Sequence, residues 1–201
     1  MVIDYLCNMK LAPYLFPKTP LVVTSESRAH SFVPQKLDHA AIIKKLDVLK
    51  NRRYKAGAGL TYCNIAAHDF ATLFGVYLPR VWWTDSALRE KDYRIIYGKT
   101  VRELNANALV GWFDAIGPEF GWSRSTVAHA QQHVNAGGFA VIAASRKDRS
   151  ASGHITVIVP GEIENAAPNQ WQAGARNFES THSKWYQAPH YDKWGVWINS
   201  K

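Results

Sequence analysis

Cys63 lies where a thiol can be turned into a nucleophile. In the stretch AGAGLTYCNIAAHDFATLFGVYL, residues 56–78, Gly57 and Gly59 interrupt regular structure, and from Asn64 the apolar residues Ile65, Phe70, Leu73 and Phe74 recur at helical intervals until Gly75. The spacing predicts a helix that opens at or near Cys63. There the unpaired backbone N–H groups and the positive end of the helix dipole favour a thiolate, whose parent thiol ordinarily has a pKa of about 8.5. The same N–H groups would hold an oxyanion, with Tyr62 and Asn64 flanking it. Core packing is the competing account, because free cysteine is among the most buried residue types. Chemistry is favoured by the loop-to-helix junction and by a histidine far downstream, in SGHITVIVP at residues 152–160.

A nucleophilic thiol needs a base within hydrogen-bond reach and a third group to fix the tautomer of that base. His154 follows Gly153 at the start of a predicted strand, from which its ring can project toward the end of a packed helix. The next strand offers Asn169, Gln172 and Asn177 as orienting amides, and Gln172 is the most central to it. His68 and Asp69 follow Cys63 on the same helix and turn away from its first turn, which leaves His68 to line the cleft or the surface. His129 and His133 are four apart on one predicted helix, but neither has a carboxylate or cysteine in ligand spacing. No metal and no cofactor is expected.

The elements that must position these groups follow from periodicity. Residues 1–35 carry Pro13, Pro17, Pro20 and Pro34 and read as an extended arm that wraps the domain. From Lys36 to Arg53, Leu37, Ala40, Ile43, Leu46 and Leu49 fall three apart, an amphipathic helix with a basic outer face, expected to pack on the Cys63 helix. Helices are also predicted over Asn105–Ile116 and Ser125–Ala136, the latter stopped by Gly137 and Gly138. The period then changes to that of strands at Phe139–Ala144 and His154–Val159, and more weakly at Trp171–Ala175 and Gly195–Ile198. Helices followed by strands imply an α+β domain over residues 36–201 with helices packed on an antiparallel sheet.

Composition narrows the partners. The chain has 201 residues, 47% of them hydrophobic, enough for one sizeable core, and a net charge of +8 that suits anionic polymers such as wall material. Its basic residues cluster only around Lys45, Lys50, Arg52 and Arg53, where a solvated helix face accounts for them and no nucleic-acid recognition motif occurs. Nucleic acid is therefore not expected as a partner. The eight Trp and nine Tyr suit an apolar cleft as well as a core. Two cysteines, Cys7 and Cys63, exclude a disulfide framework while leaving one bridge open. No apolar run is long enough to span a bilayer, and the N-terminal residues do not read as a secretory signal.

Tyr62-Cys63-Asn64 opening a helix, Gly153-His154 opening the strand ITVIV, and a polar residue on the following strand resemble the papain-like superfamily of NlpC-type and CHAP-type cysteine amidases and endopeptidases. The resemblance covers roughly residues 36–178. Ala106-Asn107, Gly121-Trp122 and Ala136-Gly137-Gly138 are similar to cell-wall hydrolases of phage and of type VI secretion effectors. The resemblance implies a papain-like fold, Cys63 as nucleophile, His154 as base and Gln172 as orienting residue. At that third position the resembled enzymes typically carry an acidic residue or a histidine.

The expected activity is cleavage of peptidoglycan stem-peptide amides, with an immunity protein or a secretion-machinery component as further partner. Made in the cytoplasm, the protein would act in the periplasm or wall after delivery by a secretion system or by lysis. A deamidase or transglutaminase-like toxin uses the same nucleophile chemistry, and a non-catalytic basic module that binds wall material or nucleic acid would leave Cys63 merely packed.

Overall fold

The computed structural model describes residues 36–57 and 61–200, together with two short paired strands, β1 (Val22–Val23) and β2 (Ala29–His30). The expected arm over residues 1–35 otherwise falls outside the described residues, as do Cys7 and Gly59. The chain divides into two compact units, one formed by residues 33–78 and 105–201 and the other by residues 1–32 and 79–104. The smaller contains β3 (Val81–Trp83), a short helix α3 (Asp85–Glu90) capped by Thr84, and β4 (Val101–Glu103), which pairs antiparallel with β3. No helix among the described residues is long and apolar enough to cross a membrane.

The larger unit is α+β. Its six-stranded sheet runs in the order β5 (Trp122–Ser125), β10 (Tyr191–Asn199), β6 (Phe139–Arg146), β7 (His154–Ile158), β8 (Asn169–Gln172), β9 (Phe178–His182), antiparallel throughout. β6 is its centre, buried from Phe139 to Ser145, and its alanines at 140, 143 and 144 allow close approach on both sides. On one face, α5 (Val127–Asn135) sets Ala130 and Val134 against Ala140, Ile142 and Val196. On the other lie α2 (Cys63–Phe74) and α4 (Ala106–Ala115). Phe70 of α2 packs on Phe139 and Trp171, and Phe113 of α4 stacks on Trp197 at 4.7 Å.

The predicted helices form, with shifted bounds. Asn105 and Thr126 cap α4 and α5 through their side chains, accepting from Ala108 N–H and His129 N–H, and Gly75 at φ 92° ends α2. The helix expected over residues 36–53 is shorter. α1 (His39–Leu46) starts at the Asp38 cap and ends at Asp47, which adopts a left-handed conformation at φ 40°. Its buried stripe is His39, Ile42 and Leu46, so the three-residue repeat is met in full only at Leu46: Leu37 and Ile43 are half-buried, Ala40 is exposed, and Leu49 is 58% exposed beyond the helix end. A strict three-residue repeat drifts around a helix of 3.6 residues per turn. α1 does pack on α2, through His39 against Phe70 and Phe74.

Candidate active site

Cys63 is the first residue of α2, preceded by Tyr62 at the cap position, where no side chain takes up the exposed donors. The first intrahelical bond is Ala66 N–H to Tyr62 carbonyl, so the N–H of Cys63 has no partner within the helix. The start of α2 is tied down from behind. Asp69 accepts from Arg53 Nε at 2.7 Å and from Tyr54 Oη at 2.8 Å, fixing the 3₁₀ turn Arg52–Tyr54 from which the chain runs toward Cys63. This is the role of Asp69. His68 donates from Nδ1 to the Leu78 carbonyl at 2.6 Å and so holds the segment that follows the helix.

The sheet brings His154 to the same place. It opens β7 opposite Ala144 of β6, after a turn held by one side chain. Asn107, in the first turn of α4, donates from Nδ2 to the Ala151 carbonyl at 2.9 Å and accepts the Arg146 N–H on Oδ1 at 2.9 Å. A Cβ at Gly153 would overlap both the Ala144 carbonyl and the Asn107 amide, so only glycine lets the turn close this tightly before His154. Ladder pairing between β7 and β8 ends at Val157 opposite Trp171. Beyond it, side chains join the strands. Thr156 Oγ1 donates to Gln170 Oε1, and His154 Nε2 meets Gln172 Oε1 at 2.9 Å.

The orientation of Gln172 follows from its other contact. Its Nε2 donates to the Arg176 carbonyl at 3.1 Å, which turns Oε1 toward the imidazole as an acceptor. His154 Nε2 therefore carries hydrogen, and Nδ1 is left to exchange a proton with Cys63. The ring is enclosed further by Trp185, edge-on at 4.6 Å, and by the backbone at Gly174, where a Cβ would stand 3.1 Å from Cε1. Trp185 is itself fixed by donating to Gln170 Oε1.

The electrostatics favour an ion pair. Burial works against an ionised Cys63, but the charge and hydrogen bond of His154 and the N–H groups of Ile155 and Asn64 outweigh it, so the thiol lies below its ordinary pKa. Burial likewise works against the imidazolium of His154. The Cys63 thiolate and the Gln172 hydrogen bond reverse that, while Arg146 subtracts from it, leaving His154 above its ordinary value. Cys63 is a free thiol and is buried.

The other amides serve elsewhere. Asn169 accepts from Ser180 Oγ and donates to the Pro160 carbonyl, and Asn177 Nδ2 donates to the Val48 and Tyr54 carbonyls. His129 meets Ser125 Oγ and His133 meets the Asn199 carbonyl. No group of three metal-ligating side chains occurs among the described residues. Trp185 and Arg146 escaped the sequence reading; Asn107 and Gly174 lay in stretches it had marked, with no role at the site given to them.

The class that fold and site define is an α+β protein with a Cys–His–Gln cluster at a helix N-terminus, its cysteine buried and its histidine and glutamine half-buried. Compared with known proteins, the chain matches no family model, and no curated protein is significantly similar to it.

Proposed function

We propose that the protein is a cysteine-nucleophile hydrolase of the papain-like kind that cleaves peptidoglycan stem-peptide amides. The observation that carries the chemistry is the alignment of Cys63 at the N-terminus of α2, the imidazole of His154 and Gln172 Oε1, 2.9 Å from Nε2. The Cys63 thiolate attacks the amide carbonyl, and the oxyanion so formed is met at the N-terminus of α2 by the Cys63 N–H, which has no partner within the helix. His154, protonated at Nδ1, gives its proton to the leaving amine as the C–N bond breaks, leaving a thioester on Cys63. Water, giving a proton back to His154, then attacks the thioester and releases the carboxylic acid and the thiolate. Gln172 holds the ring throughout by accepting from Nε2.

The wall as substrate is supported by the net charge of +8, which suits an anionic polymer. Mass spectrometry of purified peptidoglycan after incubation identifies the bond cut: a new amine and carboxylate within the stem peptide are expected with the wild type and not with Cys63→Ala. Intact stem peptides would remove the wall from consideration. Action outside the cytoplasm is part of the same reading. Fusion to an export signal should make the wild type toxic to a Gram-negative host and the Cys63→Ala form harmless, whereas killing only from the cytoplasm would favour a deamidase-like toxin.

A further inference from the structure

A cation beside the Cys63–His154 pair takes no part in the chemistry above. Arg146 ends β6, two positions beyond Ala144, the cross-strand partner of His154. Residues two apart on a strand, and cross-strand partners, project to one face, so Arg146 is carried on the face of His154. Tyr191 of β10 lies opposite Arg146 in register.

The guanidinium is held on two sides. Its Nε donates to the Ser152 carbonyl at 3.0 Å, and its Cζ lies 5.6 Å from the centre of the Tyr191 ring. The charge of Arg146 is felt at His154 and that of Cys63 at Tyr191, so the four groups share one neighbourhood. Arg146 belongs to none of the ion pairs among the described residues. Asp148, which feels its charge, accepts from both the N–H and the hydroxyl of Ser150 on one oxygen. With Nε on Ser152 and a further hydrogen bond going to the Tyr191 hydroxyl, the remaining Nη hydrogens of the guanidinium are the donors that can take a carboxylate. Even with Asp148 in its field, the cation opposes the imidazolium of His154; an anion bound to the guanidinium counters that opposition.

We propose that Arg146, backed by Tyr191, binds a carboxylate of the substrate next to the scissile amide, so that the preferred substrates are peptides anionic beside the cut. The substrate class rests on the hydrolase reading, but the anion site can be tested without hydrolysis. Cys63 of the full chain is alkylated with iodoacetate and with iodoacetamide at pH 7 and low salt, and the ratio of the two rates is taken. The ratio should fall at least about 5-fold in Arg146→Met and Arg146→Gln, and hold in Lys147→Met, which removes an exposed cation nearby. Arg146→Lys, which keeps charge and stem but not the fork, should fall between and guards against a variant that does not fold. An unchanged ratio in the Met and Gln variants overturns the site.

Matched stem peptides then separate the sources of the carboxylate, one amidated at its internal glutamyl carboxylate and one at its C-terminus. One of the two should lose at least about 10-fold in kcat/KM with the wild type, and that loss should vanish in Arg146→Met. A wild type that cleaves no peptide but keeps its iodoacetate preference sinks the wall-hydrolase reading and upholds the anion site. Equal cleavage of all peptides, with an unchanged alkylation ratio, sinks the anion site alone.

Discussion

His154 and His39 are both enclosed by protein, yet one holds its proton more firmly than a free imidazole and the other gives it up. His39 is 5% exposed, with its ring among Phe70, Phe74 and Phe139, and its buried Nε2 has no hydrogen-bond partner. Burial lowers its pKa to about 4, against a smaller upward pull from Asp38. Burial also works against the imidazolium of His154, but a thiolate and an amide oxygen stand at its two nitrogens. Enclosure alone makes an imidazole an apolar ring. A partner that ionises with it makes it a stored cation.

Removing the partners should break the contrast most severely. Cys63→Ala or His154→Ala should each lower kcat/KM on stem peptides by about 10³-fold or more, since thiol and base act as one unit. Circular dichroism should show both variants folded, and retention of a tenth of the wild-type rate by either would contradict their assignment.

The His39 side of the comparison predicts a stability effect and none on the chemistry. Because its folded pKa lies below the unfolded value of 6.5, the unfolded chain takes up the proton first. Stability is then full above about pH 6.5 and declines toward pH 4, by about 2–3 kcal/mol from this group. Urea unfolding at pH 7 and pH 4.5 should show that decline in the wild type and a smaller one in His39→Leu. Equal declines in the two proteins would show that His39 does not carry the effect.

Gln172 sharpens the contrast from the other direction. Gln172→Ala should cost about 10-fold in kcat/KM, because the imidazole loses its orienting acceptor but keeps Cys63. Gln172→Glu should move the alkaline limb of the pH profile upward, since a carboxylate favours the imidazolium more than an amide does. A silent Gln172→Ala would mean that Trp185 and Gly174 hold the ring by packing.

How far the site was legible depended on whether local signals carried it. Cys63 and His154 could be found because a glycine break precedes the α2 periodicity and Gly153 precedes an alternating strand. Gln172 stood out only by its central place among three amides; what distinguishes it, the Arg176 carbonyl that turns its oxygen toward His154, belongs to the fold. Arg146 and Tyr191 meet only through the register of β10 on β6, which no local pattern encodes. β5 and β9 went unread for a related reason. As edge strands they leave WSRS and FESTH mostly polar, with Trp122 alone fully buried. At α1 the repeat of apolar residues coincides with the buried stripe only at Leu46, because a three-residue step drifts off a helix of 3.6 residues per turn and Asp47 ends the helix before Leu49 can join it.

An ion pair between Cys63 and His154 in the resting protein is the property from which the nucleophile chemistry follows. The pH dependence of iodoacetamide alkylation of Cys63, followed by mass spectrometry in the wild type and in His154→Ala, reads this directly. The lowered thiol pKa and raised imidazole pKa predict a reactive plateau that extends well below the ordinary thiol value of about 8.5, with a second step where His154 loses its proton. In His154→Ala the plateau should collapse to a single titration at or above that value. A single titration at or above about 8.5 in the wild type itself would show Cys63 to be a packed thiol and contradict the account.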